Sequence, residues 1–156
     1  MTILAARTPD APVSLQNNAA VTAETTIGLA WSDGVYNGAS NILDYRISYD
    51  QGSGNFVILA SQVSSKSYTA TGLTNGQTYS FKIEARNLKG YSAFSNQVSI
   101  LCSRIPDAPT NLAYTAQTSN DVQIALTWAN GASNGGSSII DYRVSYDQGS
   151  NVWLVL

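Results

Sequence analysis

The stretch LTNGQTYSFKIEARN, residues 73–87, joins a turn sequence to the most regular alternation in the chain. In its second part every second side chain is large or apolar: Tyr79, Phe81, Ile83, Ala85. The side chains between them are polar or charged. A period of two is typical of a β-strand with one buried face and one face in water. The Asn-Gly pair in front supplies the backbone angles that a turn needs. The stretch therefore predicts a corner followed by a long strand.

Two other runs show the same alternation, TIGLAW at 26–31 and ILDYRISYD at 42–50. The segments between the runs, such as SDGVYNG and DQGSGN, are rich in Asn, Asp and Gly, which favour turns. No stretch has the apolar period of 3.6 residues that an amphipathic helix needs. Short strands separated by turns predict an all-β fold, an antiparallel β-sandwich.

The chain repeats itself after about 97 residues. DYRISYDQGS at 44–53 returns as DYRVSYDQGS at 141–150, and ILAARTPDAP at 3–12 returns as ILCSRIPDAP at 100–109. Because the matching phrases keep one offset, a whole domain recurs rather than a short motif. The repeat predicts a tandem array of similar domains.

These motifs together resemble the fibronectin type III domain. PDAPVSLQ resembles its first strand, Trp31 the core tryptophan of strand B, and GYSAFSNQVSI its last loop and strand. The resemblance implies that the fold is an antiparallel immunoglobulin-like β-sandwich. It also implies three parts: residues 1–7 as the end of a preceding repeat (strand G), 8–103 as a complete domain, and 104–156 as the first half of a second domain (strands A to C′).

The expected structural core consists of large side chains that face inward in each repeat: Trp31, Tyr45, Leu73, Tyr79, Trp128 and Tyr142. The Tyr79 hydroxyl is expected to bind a backbone group near Leu73 and tie the corner. In 104–156, no opposing sheet is available to cover Trp128 and Tyr142. We therefore expect that half-domain to need cover from outside, and to be aggregated or partly disordered alone.

The composition favours no catalytic, metal or cofactor site. Histidine is absent, so neither a Ser-His-Asp set nor a histidine-bound metal can be built. The net charge of −2 offers no basic face for nucleic acid, and no run of 18 apolar residues could span a membrane. Cys102, the only cysteine, can form no intrachain disulfide.

Asp44 and Asp50 are expected on a solvated face. Asp33 and Asn37 are interpreted as turn residues rather than calcium ligands.

The apolar segments NFVILA (55–60) and NVWLVL (151–156) fall where edge strand C′ is expected, and they carry no charge or proline. Edge strands are normally guarded against pairing with other chains. One interpretation is that Val57 and Leu59 face the core while Phe56 and Ile58 cover it from the side. The other is a contact strand between domains or chains. The candidate assembly edge is Phe56, Val57, Ile58, Leu59, Val152, Trp153 and Leu154.

The segments RTPDAP (7–12) and RIPDAP (104–109) are predicted linkers with two prolines each: Pro9, Pro12, Pro106 and Pro109. Proline fixes its own φ and restricts the residue before it. Consecutive domains should therefore be joined stiffly, and identical joints at a fixed period generate a rod.

The sequence favours a structural, non-catalytic segment of a long tandem fibronectin type III protein that forms an extracellular fibre, stalk or adhesive surface layer. Its expected partners are other copies of itself or neighbouring repeats, with glycans as a further class. Two alternatives stay open: a module that binds protein or glycan through loop residues Tyr36, Asn37, Lys89 and Tyr91, or a spacer beside an enzyme domain elsewhere in the protein.

Overall fold

A computed structural model describes residues 5–116 and 123–156 of the chain. These residues form strands and turns without a helix, so none of them lies in a helix long and apolar enough to cross a membrane. The chain divides into two compact units, unit 1 (Met1–Ile105) and unit 2 (Pro106–Leu156).

From residue 5 onward, unit 1 contains eight strands in two antiparallel sheets: β1 (Val13–Asn17), β2 (Thr26–Ser32), β3 (Asp44–Tyr49), β4 (Val57–Val63), β5 (Ser67–Thr71), β6 (Thr78–Asn87), β7 (Gly90–Tyr91) and β8 (Val98–Leu101). One sheet has the order β1-β2-β5. The other has the order β4-β3-β6-β7, with β8 also paired to β6. The predicted all-β antiparallel sandwich is confirmed, and residues 78–87, where the alternation is most regular, form a strand in the middle of the second sheet, β6.

The core of unit 1 lies between the two sheets. β2 contributes Ile27, Leu29 and Trp31 from one side, and β6 contributes Phe81 and Ile83 from the other. The β6 side chains reach one core because they occupy alternate positions of a strand. Burial of side chains of this size contributes roughly 1.5–3 kcal/mol each to the stability of the fold.

The described residues of unit 2, 106–116 and 123–156, form four short strands in two separate pairs. β9 (Thr110–Tyr114) pairs with β10 (Leu126–Ala129), and β11 (Ser145–Tyr146) pairs with β12 (Leu154–Val155). The sequence predicted longer strands at 141–146 and 151–156. In unit 1 the matching strand β3 is paired over its whole length with β6, whereas β11 pairs with no described strand other than β12. A strand without lateral partners loses the hydrogen bonds that define it.

The two units repeat local backbone geometry at the sequence offset. Ser14 and Asn111 have φ angles of 55° and 54°, and both lie in a strand whose pairing is irregular. Gln51 and Gln148 have φ angles of 54° and 51° in matching turns. Residues 5–7, expected at the end of a strand, form none, and residues 1–4 of that prediction lie outside the described residues.

Candidate functional site

The N-terminal linker of unit 1 is bound to the loop between β2 and β3. The Arg7 amide donates to the Gly38 carbonyl at 2.9 Å, and the Asp10 amide donates to the Tyr36 carbonyl at 2.8 Å. In return, the Tyr36 amide donates to Asp10 Oδ2 at 3.1 Å. Pro9 and Pro12 are buried beside these contacts. We call this arrangement, residues 7–12 on loop 33–40, the linker seat.

Unit 2 has a matching linker seat. The Asp107 amide donates to the Ser133 carbonyl, and the Ser133 amide donates to Asp107 Oδ2, each at 3.0 Å. Gly131 has no room for a side chain, because an added Cβ would lie 2.5 Å from the Asp107 carbonyl oxygen. Pro106 and Pro109 are exposed here, unlike their counterparts in unit 1.

Asn87 completes the linker seat of unit 1, and the sequence analysis did not identify it. Its side-chain amide donates to the carbonyls of Arg7 at 2.8 Å and Asn37 at 2.9 Å, and the residue is buried. Its Oδ1 also accepts the Lys89 amide. The signal in the sequence is weak, because an asparagine before Leu-Lys-Gly is typical of any turn.

The expected core and corner residues of unit 1 lie inside the sandwich. Trp31, Tyr45, Leu73 and Tyr79 are all buried, and the rings of Trp31 and Tyr45 meet edge to face at 5.3 Å. The Tyr79 hydroxyl accepts the Thr74 amide at 3.0 Å, which ties the corner before β6. Trp31 Nε1 is buried without a hydrogen-bond partner among the described residues.

Their counterparts in unit 2 are exposed. Trp128 and Tyr142 keep the edge-to-face contact at 5.4 Å, and the Tyr142 hydroxyl donates to Asn130 Oδ1. Yet Trp128 is 36% exposed and Tyr142 is 39% exposed. Both line a groove of 720 Å³ together with other residues of unit 2. Trp128 and Tyr142 therefore keep the ring contact seen in unit 1, although both rings are exposed.

The outer face of the β3–β6 sheet is not the solvated face that the sequence predicted. Asp44 is buried and bound in a two-pronged pair by Arg86. Arg46 binds both oxygens of Glu84, at 2.7 and 2.9 Å. The expectation that Asp44 merely solubilises the protein is therefore wrong. Pairing across neighbouring strands offsets the cost of burying these charges.

Asp50 is likewise buried rather than solvated. Its carboxylate accepts the backbone amides of Gly52 and Ser80, each at 2.9 Å. Burial raises the pKa of this carboxyl, but the hydrogen bonds from these amides outweigh burial and hold the pKa below its ordinary value. Asp50 thus fixes the turn after β3 to the start of β6.

Asp33 links β2 to its neighbours and does not form part of a metal cluster. It accepts the Tyr45 hydroxyl and pairs with Lys66 at 2.7 Å. Burial and this hydrogen bond raise the pKa of Tyr45. Within 5–116 and 123–156, no three His, Cys, Asp or Glu side chains come together to hold a metal ion.

The predicted assembly edge forms an edge strand only in part. β4 lies at the end of its sheet and pairs only with β3 among the described strands. Leu59 packs against the core, but Val57 is 40% exposed, so the expectation that Val57 faces the core is wrong. Irregular pairing with β3 and a φ of 58° at Gln62 distort the second half of β4. The edge is therefore guarded by a bulge, which the sequence did not reveal.

The remaining edge residues differ in their surroundings. Lys82 Nζ lies 3.9 Å from the centre of the Phe56 ring and 4.1 Å from that of Phe94. Phe56 thus lies under a lysine, whereas Ile58 is largely exposed. The candidates in unit 2, Val152, Trp153 and Leu154, are all exposed, and Leu154 alone lies in a strand.

The loop residues proposed for ligand binding contact side chains of their own unit. Arg7 lies over the Tyr36 ring at 4.7 Å, and Arg46 lies over the Tyr91 ring at 3.9 Å. Asn37 Oδ1 accepts the amide of Ala39. Tyr36 and Asn37 belong to the linker seat, while Tyr91 lies on the outer face of the sheet.

The comparisons with known proteins agree with this architecture. A family model described as the fibronectin type III domain matches residues 10–100. Chitinase A1 of Niallia circulans is 40% identical over 86 residues, which are 50% of this chain and 12% of that protein. Protein sidekick of Drosophila melanogaster is 30% identical over 152 residues, which are 90% of this chain and 6% of that protein. The chain thus spans a small part of both relatives.

Solved structures show the same fold at low sequence identity. A crystal structure of titin domains has a TM-score of 0.57 at 20% identity and covers 62% of this chain and 33% of that one. A solution structure of a human FNIII domain has a TM-score of 0.57 at 16% identity and covers 69% of this chain and 89% of that one. Since the family model covers more than half of the sequence, the chain belongs to the fibronectin type III domain family.

Proposed function

We propose that the chain is a structural, non-catalytic part of a longer protein built from tandem fibronectin type III repeats. The observation that carries the proposal is the linker seat, which recurs about 97 residues later with the same aspartate and the same reciprocal backbone contacts. Because each linker is bound by the domain that follows it, the chain enters every repeat at the same place on that domain. The match to sidekick, which extends over both units, supports the tandem arrangement.

The joint between repeats is short. Arg104 pairs with Glu24 of unit 1 at 3.0 Å, and Asp107 makes the first bonds of the seat in unit 2. Only Ile105 and Pro106 lie between these anchor points. A short joint that contains proline restricts backbone motion more than a glycine- or serine-rich linker does. This supports a role as a semi-rigid spacer. We propose that the spacer belongs to an extracellular fibre, stalk or adhesive surface layer, with other copies of the protein as partners.

Electron microscopy of the full-length protein tests this role. We expect extended particles or filaments of constant width, because identical joints repeat at a fixed period. Protease treatment of intact cells tests the location, since a surface protein is cleaved under conditions that spare cytoplasmic markers. Compact globular particles, or full protection from the protease, would contradict the proposal.

The linker seat itself is tested by Gly38→Ala. Gly38 has a φ of 76°, and an added Cβ would lie 2.0 Å from the Arg7 carbonyl oxygen, so the linker must move. We expect faster hydrogen exchange at the Arg7 and Asp10 amides, with the core of unit 1 still protected. Gly54→Ala is the matched control, because its φ is 86° and nothing lies within 4 Å of the added atom. Equal exchange in both variants would show that the seat does not hold the linker.

A second candidate role is a spacer beside a catalytic domain elsewhere in the protein. The likeness to chitinase A1 favours it, since that relative is named for an enzyme activity and this chain matches only 12% of its length. Assays of the full-length protein and of this chain on chitin separate the two roles. Hydrolysis by the full-length protein alone would support the spacer role, and filaments without hydrolysis would support the structural one.

A further inference from the structure

We propose that Asn37 and Gly38 form a site of spontaneous covalent modification, at which Asn37 converts to isoaspartate and loosens the linker seat of unit 1. Asparagine is a thermolabile residue. A glycine after it leaves the backbone nitrogen open to react, because glycine has no side chain to obstruct the approach. The inference uses the geometry of the linker seat and does not depend on the structural role proposed above.

The reaction needs only these two residues and water. The backbone nitrogen of Gly38 gives its proton to the solvent and attacks the side-chain carbonyl carbon of Asn37. A carbon–nitrogen bond forms, the bond to the side-chain nitrogen breaks, and that nitrogen takes up a proton and leaves as ammonia. The cyclic imide that remains is opened by water at either carbonyl group, which gives aspartate or isoaspartate. The net change replaces ammonia by water, so no oxidant or reductant is involved.

The Gly38 amide is free to act as the nucleophile, because it donates a hydrogen bond to no described residue. Asn37 is exposed, so water reaches the reacting groups. The Asn37 Oδ1 accepts the Ala39 amide at 3.0 Å. This turn directs the side-chain carbonyl forward along the chain, toward the peptide group that attacks it. The hydrogen bond also draws electrons from the carbonyl carbon and makes it easier to attack.

Asn87 favours the loss of the proton from the attacking amide. Its Nδ2 donates to the Asn37 carbonyl oxygen at 2.9 Å. That oxygen and the Gly38 nitrogen belong to one peptide group, so the negative charge left by deprotonation is shared between them. A donor fixed at the oxygen stabilises this charge, as hydrogen-bond donors stabilise developing oxyanions. Asn87 is buried, so solvent does not weaken the interaction.

The equivalent pair in unit 2 shows which contact blocks the nucleophile. There Asn134 Oδ1 accepts the Gly136 amide at 3.0 Å, as in unit 1, but the Gly135 amide donates to Ser133 Oγ at 3.0 Å. The side-chain turn is therefore the same in both units, whereas the glycine amide is bound only in unit 2. Tyr36 occupies the position of Ser133 in unit 1, and its hydroxyl is at the far end of the ring.

The other two Asn-Gly pairs of the sequence, at 75–76 and 130–131, each lack one of these conditions. The Gly76 amide donates to the Cys102 carbonyl at 2.8 Å, so its nitrogen is occupied. The Asn130 side chain accepts the Tyr142 hydroxyl and is bound there rather than to the backbone that follows it. The structure thus singles out position 37 among sites with the same local sequence.

Conversion to isoaspartate changes the linker seat itself. The main chain then passes through the former side chain of Asn37, which adds a carbon atom before Gly38. The Gly38 carbonyl accepts the Arg7 amide at 2.9 Å, and the Asn37 carbonyl accepts Asn87, so the change displaces both acceptors. Hydrogen bonds do not survive a displacement of the acceptor by the length of a covalent bond. The modification is therefore an age-dependent release of the linker.

The first test incubates the full chain in mildly alkaline buffer and follows each asparagine by mass spectrometry of tryptic peptides. Cleavage after Arg7, Arg46 and Lys66 separates Asn37 from Asn75. We expect Asn37 to react at least about fivefold faster than Asn75, the factor that corresponds to one neutral hydrogen bond. In denaturant both should react at similar rates, because only the local sequence then matters. Similar rates in the folded chain would overturn the proposal.

Two variants at one position test the role of the free amide. Tyr36→Ser supplies the hydroxyl that Ser133 uses in unit 2, whereas Tyr36→Ala removes the same ring without supplying it. We expect Asn37 to react about fivefold more slowly in the serine variant than in the alanine variant. The melting of unit 1 serves as the folding control for both. Equal rates in the two variants would show that the free amide does not select this site.

Hydrogen exchange on the aged chain tests the effect on the linker. We expect faster exchange at the Arg7 and Asp10 amides in chains that carry isoaspartate at position 37, with β6 still protected. Freshly prepared Asn37→Asp is the control, since it introduces the charge without lengthening the main chain, and both amides should exchange nearly as slowly as in fresh protein. Unchanged exchange in the aged chain, or equal acceleration in the control, would overturn the release of the linker by isoaspartate.

Discussion

Trp31 is a large side chain in the buried core of unit 1. Its ring lies between the sheets and contacts Tyr45, and its Nε1 has no hydrogen-bond partner among the described residues. We expect Trp31→Ala to destabilise unit 1 by about 3–5 kcal/mol, since it removes a buried ring and leaves a cavity. Urea unfolding measures this. Trp31→Phe, which keeps an aromatic ring and removes the unpaired N–H, should cost clearly less. A negligible shift for alanine would place Trp31 outside the core.

Asp50 makes the stability of unit 1 depend on pH. Its folded-state pKa is lowered, so the charged form stabilises the fold above the ordinary value of 3.8, and this contribution is lost as the pH falls through the folded-state pKa. Asp50→Asn should therefore destabilise unit 1 at neutral pH by about 1–3 kcal/mol and by much less in acid. Urea titrations at several pH values test it. Asp147→Asn, the equivalent change in unit 2, is the control, and a difference that stays constant with pH would contradict this role.

The residue scale also shows which features sequence alone could predict. Trp31, Tyr45 and Phe81 were predicted inside because their alternation is local and can be seen within one strand. Asp44, Asp50 and Asn87 are buried through partners distant in the sequence, and Asn87 binds a carbonyl 80 positions away. A buried polar residue is recognised only when its partners are known, so these three could not be placed.

At the scale of single elements, β4 is an edge strand that exposes an apolar side chain despite its bulge. Ile58 is 59% exposed on an edge strand, and no charged residue lies between Asp50 and Lys66. We expect Ile58→Lys to leave the melting temperature of unit 1 nearly unchanged and to reduce concentration-dependent association in sedimentation, because charge on an edge opposes pairing. Val35→Lys changes a fully exposed loop residue and controls for net charge. The same decrease in both variants would argue against β4 as the contact.

The strands themselves were predicted well where the sheet is complete and poorly where it is not. TIGLAW became β2, and 78–87 became β6 with nearly the predicted limits. The nearly identical phrase at 141–150 contains only the two-residue β11. The same residues thus form a long strand beside β6 and a short one without it. Alternation shows that a segment can form a strand, but lateral partners decide its length.

At the scale of the whole molecule, the two units should differ in stability. Unit 1 covers its core with two sheets, whereas the core positions of unit 2 are exposed. Native-state hydrogen exchange on the full chain should therefore show strong protection in β2, β3 and β6, and little in 126–146. The equivalent pairs Trp31 with Trp128 and Tyr45 with Tyr142 provide an internal comparison. Comparable protection in the two units, in a monomer, would show that unit 2 is stable by itself.

The buried thiol of Cys102 allows the local opening of unit 1 to be followed by chemical modification. Its Sγ lies 3.3–3.4 Å from the carbonyl oxygens of Glu24 and Ala23, with no exposed surface, and burial raises its pKa. A thiol reagent in solution can therefore react with Cys102 only after the end of unit 1 separates from the residues around 23–24. Since the chain has one cysteine, each modified molecule carries one modified site, and the rate of modification reports on the local opening of unit 1 around Cys102.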